Sequence, residues 1–307
     1  MLLAASGSDR LRQLVTSAPF SRAVVARYVA GETQDQAVAV TRDLLASGLL
    51  VSLDYLGEDT TDLDQATAVT AEYCELLGQL AAAGLSRGGR AEVSVKPTAV
   101  GLGLAEHGVK TATGNIARIC AVARDVGTTV TVDMEDHTRV GDTLSLVADL
   151  RQDFPDLGCV IQSQLHRTAA DCAALARPGS RVRLCNGAYE SPASVAYTRR
   201  HDTDRSYARA LRMLMHGPGY PMIATHDPRL LRIAAAQAVL TGRAPGSFEY
   251  QMLYGVRPAE QRRLAAAGTQ VRVYLPYGRD WYGYRVRRLA ERPANVTFFL
   301  RSLASSR

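Results

Sequence analysis

The stretch MIATHDPRLLRIAAAQAVLTG, residues 222–242, joins a short strand-like segment to a longer run that is rich in Ala and Leu. Residues 222–225 are predicted as a strand and the Ala-rich run after them as a helix. Asp227 is a good acceptor for the backbone N–H groups that open this helix. Pro228 suits the first turn because it has no N–H to leave unpaired. The stretch is therefore one strand-then-helix unit.

The same unit recurs along the chain. Seven further strand-like stretches, each with room for one helix after it, occupy residues 50–54, 92–96, 129–133, 159–162, 181–185, 247–251 and 271–275. Eight such units over about 250 residues are typical of an α/β fold, the (βα)8 TIM-type barrel. The close spacing leaves little room for a second domain. We predict an N-terminal helical segment at residues 1–45 that packs on a barrel formed by residues 46–307.

Composition narrows the class of protein. The chain has 307 residues, of which 47% are hydrophobic, which is enough for a large core. Its longest apolar runs are far shorter than the ~18 residues of a membrane span, and the N-terminus lacks a signal-peptide core, so a cytoplasmic protein is expected. Five cysteines form no CxxC pair, which favours reduced thiols over disulfides or a zinc site, and we predict no metal.

The net charge is +6, but arginines are spread along the whole chain without a basic tail. This distribution indicates that the arginines lie on solvated helix faces. A site for a small anionic ligand is the second explanation, and both are favoured over a nucleic-acid surface.

Polar residues stand where the predicted strands end. Strands of a barrel are buried on both sides and should be mostly apolar, so such residues need an explanation. They are Asp54, Glu58, Lys96, Asp133, Gln162, Arg183, Asn186, Tyr189, His226, Glu249, Gln251 and Tyr274. Any one of them alone is better explained by a buried ion pair or a helix start. Together they predict an active site, because the C-terminal strand ends of this fold meet at one mouth.

A second stretch, VRVYLPYGRDWYGYRVRRLAERPAN at residues 271–295, holds the eighth predicted strand and a helix after it. Arg287 and Arg288 are adjacent there, and Glu291 lies about one helical turn further on, where it can fix their geometry. Paired arginines, with Lys96 from across the barrel, suit a carboxylate or phosphate, although a salt-bridged surface helix is the simpler alternative. Four aromatic residues beside them indicate a partly dry pocket: Tyr274, Tyr277, Trp281 and Tyr284. We expect a small anionic substrate with an apolar body.

Several motifs of the chain resemble the proline dehydrogenase family, and the resemblance runs from YVAGET at residues 28–33 to the end of the chain. The motifs are LDYLGE (53–58), SVKPTA (94–99), VDMEDH (132–137), RLCNGAYE (183–190), ATHD (224–227), FEYQMLYG (248–255), YLPYG (274–278) and WYGYRVRRLAERPAN (281–295). The family consists of flavin enzymes that oxidise L-proline to Δ1-pyrroline-5-carboxylate on a (βα)8 barrel. The chain is most similar to the short, single-function bacterial members. The resemblance implies FAD as cofactor and hydride transfer to flavin N5.

The resemblance also implies a role for individual residues. Lys96, Arg287 and Arg288 are expected to hold the substrate carboxylate, and Glu58 to pair with Arg287 as a lid. The expected contacts of the substrate ring are Tyr274, Tyr284, Leu253, Leu184, Asp133 and Tyr189. The expected flavin contacts are Arg183 near N5, Gln162, the backbone of Cys185, Asn186, Gly187 and Ala188, and the side chains of Arg200, His226 and Glu291.

Two positions depart from the family pattern. The family usually has lysine in the K-G-A-Y motif where this chain has Asn186, and it often has asparagine in place of Asp227. The loss of this cation beside the flavin leaves two alternatives open: a paralogue that oxidises another cyclic or secondary amine acid, or a tolerated swap, because asparagine keeps a hydrogen-bond donor. A separate alternative is an inactive barrel that binds an amino acid or flavin. The resemblance further implies a quinone as electron acceptor, and the basic surface permits a peripheral contact with the inner face of the membrane.

Overall fold

The computed structural model describes residues 27–280 and contains a closed barrel of eight parallel strands. The strands are β1 Leu50–Tyr55, β2 Ala91–Val95, β3 Val130–Val132, β4 Gly158–Gln162, β5 Arg181–Cys185, β6 Tyr220–Ala224, β7 Glu249–Leu253 and β8 Val271–Tyr277. Each strand pairs with the next in the chain, and β8 pairs with β1, which closes the barrel. The predicted fold class is confirmed.

Eight α-helices lie within the described residues. They are α1 Gln34–Ala46, α2 Leu63–Ala82, α3 Gly108–Asp125, α4 Val140–Leu150, α5 Thr168–Leu175, α6 Arg200–His216, α7 Pro228–Leu240 and α8 Pro258–Ala266. Helices α2 to α8 each follow one strand, and α1 precedes β1. The start of α7 is the predicted one: Pro228 occupies its first turn, and Asp227 Oδ1 accepts a 2.8 Å hydrogen bond from the Arg229 N–H.

The N-terminal side of the chain is tied to the barrel. Helix α1 begins with a capping box in which Thr33 and Gln36 bond each other's backbone. The Ala30 N–H donates to the Pro276 carbonyl in β8 at 2.8 Å, and the Gly278 N–H donates to the Gly31 carbonyl at 2.9 Å. The domain boundary at residues 45 and 46 remains a prediction. The helices predicted within residues 1–26 and after β8 lie outside the described residues.

The seventh strand differs from its predicted range. It begins at Glu249 instead of residue 247, because the Ser247 N–H closes a turn on the Ala244 carbonyl and the ladder with β6 starts where Met222 faces Glu249. Glu249 therefore lies at the beginning of β7, away from the mouth where the sequence placed it. That placement was wrong.

The barrel interior is charged, unlike the apolar layers that usually fill this fold. Near the start of the strands, Arg181 Nη2 lies 2.6 Å from Glu92 Oε2, and Arg272 Nε lies 2.7 Å from Glu249 Oε1. All four side chains are buried, and two cations balance two anions. The apolar core lies mainly outside the barrel, in two clusters that include residues of both strands and helices. Burying the ion pairs is tolerable because each charge is matched.

Two general features concern the whole described part. None of the helices between residues 27 and 280 combines the length and the apolar character that crossing a membrane requires. All five cysteines belong to this part, and none of them forms a disulfide.

Candidate active site

The mouth of the barrel holds a buried ion pair between β1 and the residue after β2. Lys96 Nζ lies 2.5 Å from Asp54 Oδ1, and the two side chains are only 9% and 0% exposed. The second oxygen of Asp54, Oδ2, is also buried and accepts no hydrogen bond from any residue in the described range. A buried carboxylate oxygen without a donor is costly unless a ligand or water supplies one.

The pKa values of this pair follow from its surroundings. Burial raises the pKa of Asp54 to about 6; Lys96 lowers it, and the negative charge of Asp133 raises it. The hydroxyl of Tyr274 is close enough to lower it further. Burial alone would lower the pKa of Lys96, but Asp54 and Asp133 raise it above its usual value. Lys96 is therefore a cation at neutral pH.

Arg183 forms the centre of the mouth. Its Nη1 lies 2.6 Å from Asp133 Oδ1 and its Nε donates to Gln251 Oε1 at 2.5 Å. The guanidinium also donates to two serine hydroxyls, Ser94 at 2.9 Å and Ser52 at 3.3 Å. These partners come from four other strands or strand ends, so the guanidinium is held in one plane and orientation.

Tyr274 covers this cation. Its hydroxyl donates to Asp133 Oδ2 at 2.7 Å, and the centre of its ring lies 5.3 Å from Arg183 Cζ, within cation–π range. The residue is partly exposed, whereas Arg183 beneath it is buried. Part of the ring therefore faces the mouth as an apolar wall.

The opposite side of the mouth is built by β4 to β7. Gln162 Nε2 donates to the carbonyls of Met134 and Glu135 at 3.3 and 3.1 Å. His226 Nε2 accepts from the Leu253 N–H at 2.9 Å, which fixes both residues at the ends of neighbouring strands. Leu253 is partly exposed, like Tyr274, and so offers a second apolar surface.

The last residue of β5 and the loop after it carry four of the predicted flavin contacts, residues 185–188. Asn186 and Ala188 are exposed, and Gly187 has a φ of 108°, a conformation that L side chains rarely adopt. A Cβ at Gly187 would come within 2.3 Å of the Gln164 side chain. The turn thus depends on glycine, and it leaves the backbone at the mouth accessible.

A hydrogen bond spans the mouth from this loop to the loop after β1. The Tyr189 hydroxyl donates to Glu58 Oε2 at 2.8 Å. Tyr189 itself is positioned by Gln164 Nε2, which donates to its carbonyl at 2.8 Å. Glu58, the predicted lid residue, is therefore placed at the mouth. Its predicted partner Arg287 lies outside the described residues, as do Tyr284, Arg288 and Glu291.

Two predicted residues, Leu184 and Tyr277, lie elsewhere. Leu184 follows Arg183 directly and so points to the other side of β5, where it belongs to an apolar cluster that includes Tyr207 of α6. The structure does not bring it to the mouth. Tyr277 is likewise buried, and its ring packs 5.3 Å from that of Tyr55. Arg200 is 79% exposed at the start of α6, where it lies 3.5 Å from Asp227 in a surface cluster of charges.

Sequence reasoning missed several partners of the site. Asp54 was recognised as a strand-end residue but given no role, and Ser52 and Ser94 were not singled out. Their signal is present in the sequence: Ser52 and Asp54 share one side of β1, and Ser94 and Lys96 share one side of β2. Polar residues at alternate positions of a buried strand indicate that its inner side is polar.

Asp54→Asn is expected to remove part of the pH dependence of stability. The folded-state pKa of about 6 lies above the ordinary aspartate value of 3.8, so the unfolded chain releases this proton at lower pH than the folded protein. The free energy of unfolding should thus fall as the pH rises from about 4 to about 6, by about 3 kcal/mol for this group, and then level off. Urea unfolding of both proteins across this range measures the effect. If the free energy of unfolding changed with pH in the same way in both proteins, the pKa of Asp54 would be the same in the folded and unfolded states.

Known proteins resemble this chain over most of its length. A model of the proline dehydrogenase family matches residues 37–301. The chain is 37% identical over 278 residues to proline dehydrogenase 1 of Bacillus subtilis (strain 168), covering 90% of this chain and 89% of that protein. It is 38% identical over 279 residues to the proline dehydrogenase of Deinococcus radiodurans, with the same coverage of 90% and 89%.

Among solved structures, proline utilization A (PutA) from Bdellovibrio bacteriovorus superposes with a TM-score of 0.80 at 24% identity. The match covers 88% of this chain and 32% of that longer one, and at this identity it supports the fold alone. The family match and the two bacterial relatives each extend over most of the chain. The chain therefore belongs to the proline dehydrogenase family.

Proposed function

We propose that the protein oxidises L-proline to Δ1-pyrroline-5-carboxylate with bound FAD, as a step of proline catabolism. The observation that best supports this is a fixed cation and an exposed aromatic wall at one mouth: Lys96 beside Asp54, and Tyr274 over Arg183. Proline has a carboxylate at one end and an apolar ring at the other, and these groups complement the two features. The two bacterial relatives are named proline dehydrogenases.

For the substrate, we assign Lys96 to the carboxylate, together with Arg287 and Arg288. Tyr274 and Leu253 form the ring walls, and Asp133 and Tyr189 complete the surroundings. Glu58 closes the mouth by pairing with Arg287. Since Lys96 remains charged at neutral pH, its bond to the carboxylate is charge-assisted.

The residues present fit a flavin. A flavin needs hydrogen-bond donors along one edge of its ring system and a polar partner for its phosphates, and the mouth supplies guanidinium, amide and backbone donors. Besides Arg183, Gln162 and His226, we assign the backbone of residues 185–188, Arg200 and Glu291 to this task. When bound, the flavin supplies the hydride acceptor, N5.

Arg183 has the properties that this chemistry requires. Four side chains fix its orientation, and its charge is balanced by Asp133 rather than by solvent. A preorganised cation stabilises developing negative charge without reorganisation at the moment of reaction. Proline gives up a hydride from the ring carbon next to nitrogen and a proton from nitrogen. The protein therefore needs no nucleophile, and residues 27–280 contain no cluster of three potential metal ligands.

The proposal is tested by mixing the flavin-loaded protein with L-proline without oxygen while flavin absorbance is recorded. Bleaching by L-proline, with formation of the pyrroline product, is the expected result. D-proline is the matched control, because the carboxylate clamp and the ring wall fix one enantiomer. A flavin that stays oxidised in excess L-proline would refute the assigned reaction.

Tyr274→Ser is expected to shift specificity toward 4-hydroxyproline. The partly exposed ring is the wall that excludes substituents on the ring atom opposite nitrogen, and serine removes it. The ratio of kcat/KM for hydroxyproline to that for proline should rise by about tenfold. This is the order of magnitude by which one steric contact in a pocket discriminates between two substrates. Tyr274→Phe is the control, because it keeps the ring but loses the hydroxyl bond to Asp133. An unchanged ratio in the serine variant would place the substrate elsewhere.

A second candidate function is the oxidation of another cyclic or secondary amine acid, and the exposed Asn186 in place of the family lysine favours it. Asn186→Lys adds a cation near the proposed flavin site. At an effective dielectric near 20 one such charge is worth roughly 1 to 4 kcal/mol, or roughly 20 to 90 mV for two electrons. The flavin midpoint potential should rise, and reduction by proline should accelerate.

Potentiometric titration and a panel of cyclic amine acids decide between the two candidates. Faster proline oxidation at the expense of another amine would support the second. Equal potentials and equal kinetics would make Asn186 a neutral variation and leave proline as the substrate.

We also infer a quinone as the electron acceptor, with a peripheral contact of the basic protein on an anionic membrane surface. Family resemblance and the net charge of +6 support this inference. Reoxidation of the proline-reduced protein by a soluble quinone, with and without anionic vesicles, tests both parts.

A further inference from the structure

The loop after β1, residues 56–62, carries Glu58 to the mouth and has an unusual backbone. Asp59, the next residue, has a φ of 56°, in the left-handed region that residues other than glycine seldom occupy. A loop in this conformation needs fixed contacts to hold one arrangement. Those contacts determine where the Glu58 carboxylate lies.

Thr98 supplies these contacts. Its Oγ1 accepts from the Asp59 N–H at 3.1 Å, and its carbonyl accepts from the Thr60 N–H at 3.2 Å and the Thr60 hydroxyl at 2.9 Å. Three hydrogen bonds thus join the two residues after Glu58 to a single residue behind β2. Thr98 itself is buried in the short 3₁₀ helix Pro97–Val100.

Thr98 is held in turn by one carboxylate, Glu135. The Thr98 N–H donates to Glu135 Oε2 at 2.9 Å, and the Thr98 hydroxyl donates to Oε1 at 2.6 Å. A carboxylate accepts both bonds at once, whereas an amide has only one acceptor oxygen. Because the Thr98 hydroxyl donates to Glu135, its lone pairs remain available for the Asp59 N–H.

Glu135 is buried and lies outside the set of residues assigned to substrate or flavin. Burial raises its pKa to about 7, the two bonds from Thr98 and the charge of Lys96 lower it, and the charge of Glu58 raises it. Two nearby charges therefore shift the pKa of Glu135: the cation of Lys96 and the carboxylate of Glu58, which belongs to the loop that Glu135 holds.

We propose that Glu135 is a positioning residue, which acts through Thr98 to hold the loop 56–62 so that Glu58 lies at the barrel mouth. The proposal rests on the proposed function, because Glu58 matters to turnover as the lid residue of the substrate site. Glu135 does not touch substrate. Its effect is therefore on the binding of proline more than on the chemical step.

The first arm of the test measures the loop itself. Glu135→Gln removes one acceptor, and Thr98→Val removes the hydroxyl while keeping the shape. Amide hydrogen exchange at Asp59 and Thr60 should become about tenfold faster in both variants, because each loses a buried hydrogen bond. Thr143→Val is the matched control, since it removes a buried hydroxyl in α4 that has no hydrogen-bond partner among the described residues. It should leave this exchange unchanged.

The second arm measures proline kinetics in a double-mutant cycle with Glu58→Ala. Glu135→Gln alone should raise the KM for proline several-fold, with a smaller change in kcat. In the Glu58→Ala background it should change the KM less than twofold, because the group that it positions is gone. A merely structural role would instead give the same increase in both backgrounds.

The two arms separate this proposal from the proposed function. Unchanged exchange in both variants, or fully additive effects on KM, would overturn the role of Glu135. If the wild-type protein fails to oxidise proline, the proposed function is refuted, and so is the role of Glu135 in turnover. The exchange arm then still decides whether Glu135 holds the loop.

Discussion

Lys96→Met is expected to lower kcat/KM for L-proline by about 100-fold. The ammonium group is assigned to the substrate carboxylate, and a charge-assisted hydrogen bond contributes about 1.5 to 3 kcal/mol. The same change leaves Asp54 as a buried carboxylate without its cation, 2.5 Å from where Nζ was. Removing one partner of a buried pair costs about 3 to 5 kcal/mol of stability. Steady-state kinetics and urea unfolding measure the two effects separately.

The double variant Asp54→Asn/Lys96→Met distinguishes substrate binding from charge balance. It removes both charges, so most of the lost stability should return, while the KM for proline should stay high. Lower pH should also restore stability to Lys96→Met alone, because Asp54 then takes up a proton. Recovery of normal proline kinetics in the double variant would show that Lys96 serves only to neutralise Asp54.

Arg183→Met is expected to slow the reduction of the flavin by proline by at least about 100-fold. Removal of one preorganised group that stabilises developing charge typically has this effect. The variant also leaves Asp133 without its ion-pair partner and Gln251 Oε1 without the donor from Arg183, so the stability should fall by about 3 to 5 kcal/mol. Anaerobic stopped-flow absorbance, with flavin content measured beforehand, reports the reduction rate.

Arg183→Lys separates charge from geometry. It keeps the cation beside Asp133 but loses the planar fork that also reaches Ser94 and Gln251. We expect a smaller decrease, about tenfold, and little loss of flavin. Arg263→Met is the control, because it breaks an exposed ion pair with Glu260 within helix α8. Reduction of Arg183→Met at the wild-type rate would remove Arg183 from the reaction.

The strands and helices were largely predictable because their signals are local. Neighbouring residue types alone indicated a strand at residues 222–225 and a helix start at Asp227 and Pro228. The structure has the helix start as predicted and the strand at Tyr220–Ala224. The seventh strand was misplaced by two residues because a turn at Ser247 and the register with β6 decide where the ladder begins. Register depends on another strand, so local patterns predict it poorly.

The mouth of the barrel was predictable as a location but not in its contacts. Alternation shows which residues of a strand share a side, but it does not say which side faces inward. The family resemblance placed Leu184 beside the substrate, whereas in the structure Arg183 takes the inner side of β5 and Leu184 the outer one. Glu135 follows its strand in a loop and Thr98 lies in a single 3₁₀ turn, and both segments are too short to show a period.

The sequence alone determined the fold class, the family resemblance and the strand ends that form the mouth. These follow from residue types and their spacing along the chain. Only the tertiary structure decided which charges meet. Tyr274 and Asp133 are 141 residues apart in the chain, and Arg183 and Ser52 are 131 apart, yet closure of the barrel places them in contact. Desolvation and Coulomb energy depend on burial and on distances in space. For that reason the charge of Lys96, the raised pKa of Asp54 and the orientation of Arg183 follow from the closed barrel and not from sequence order.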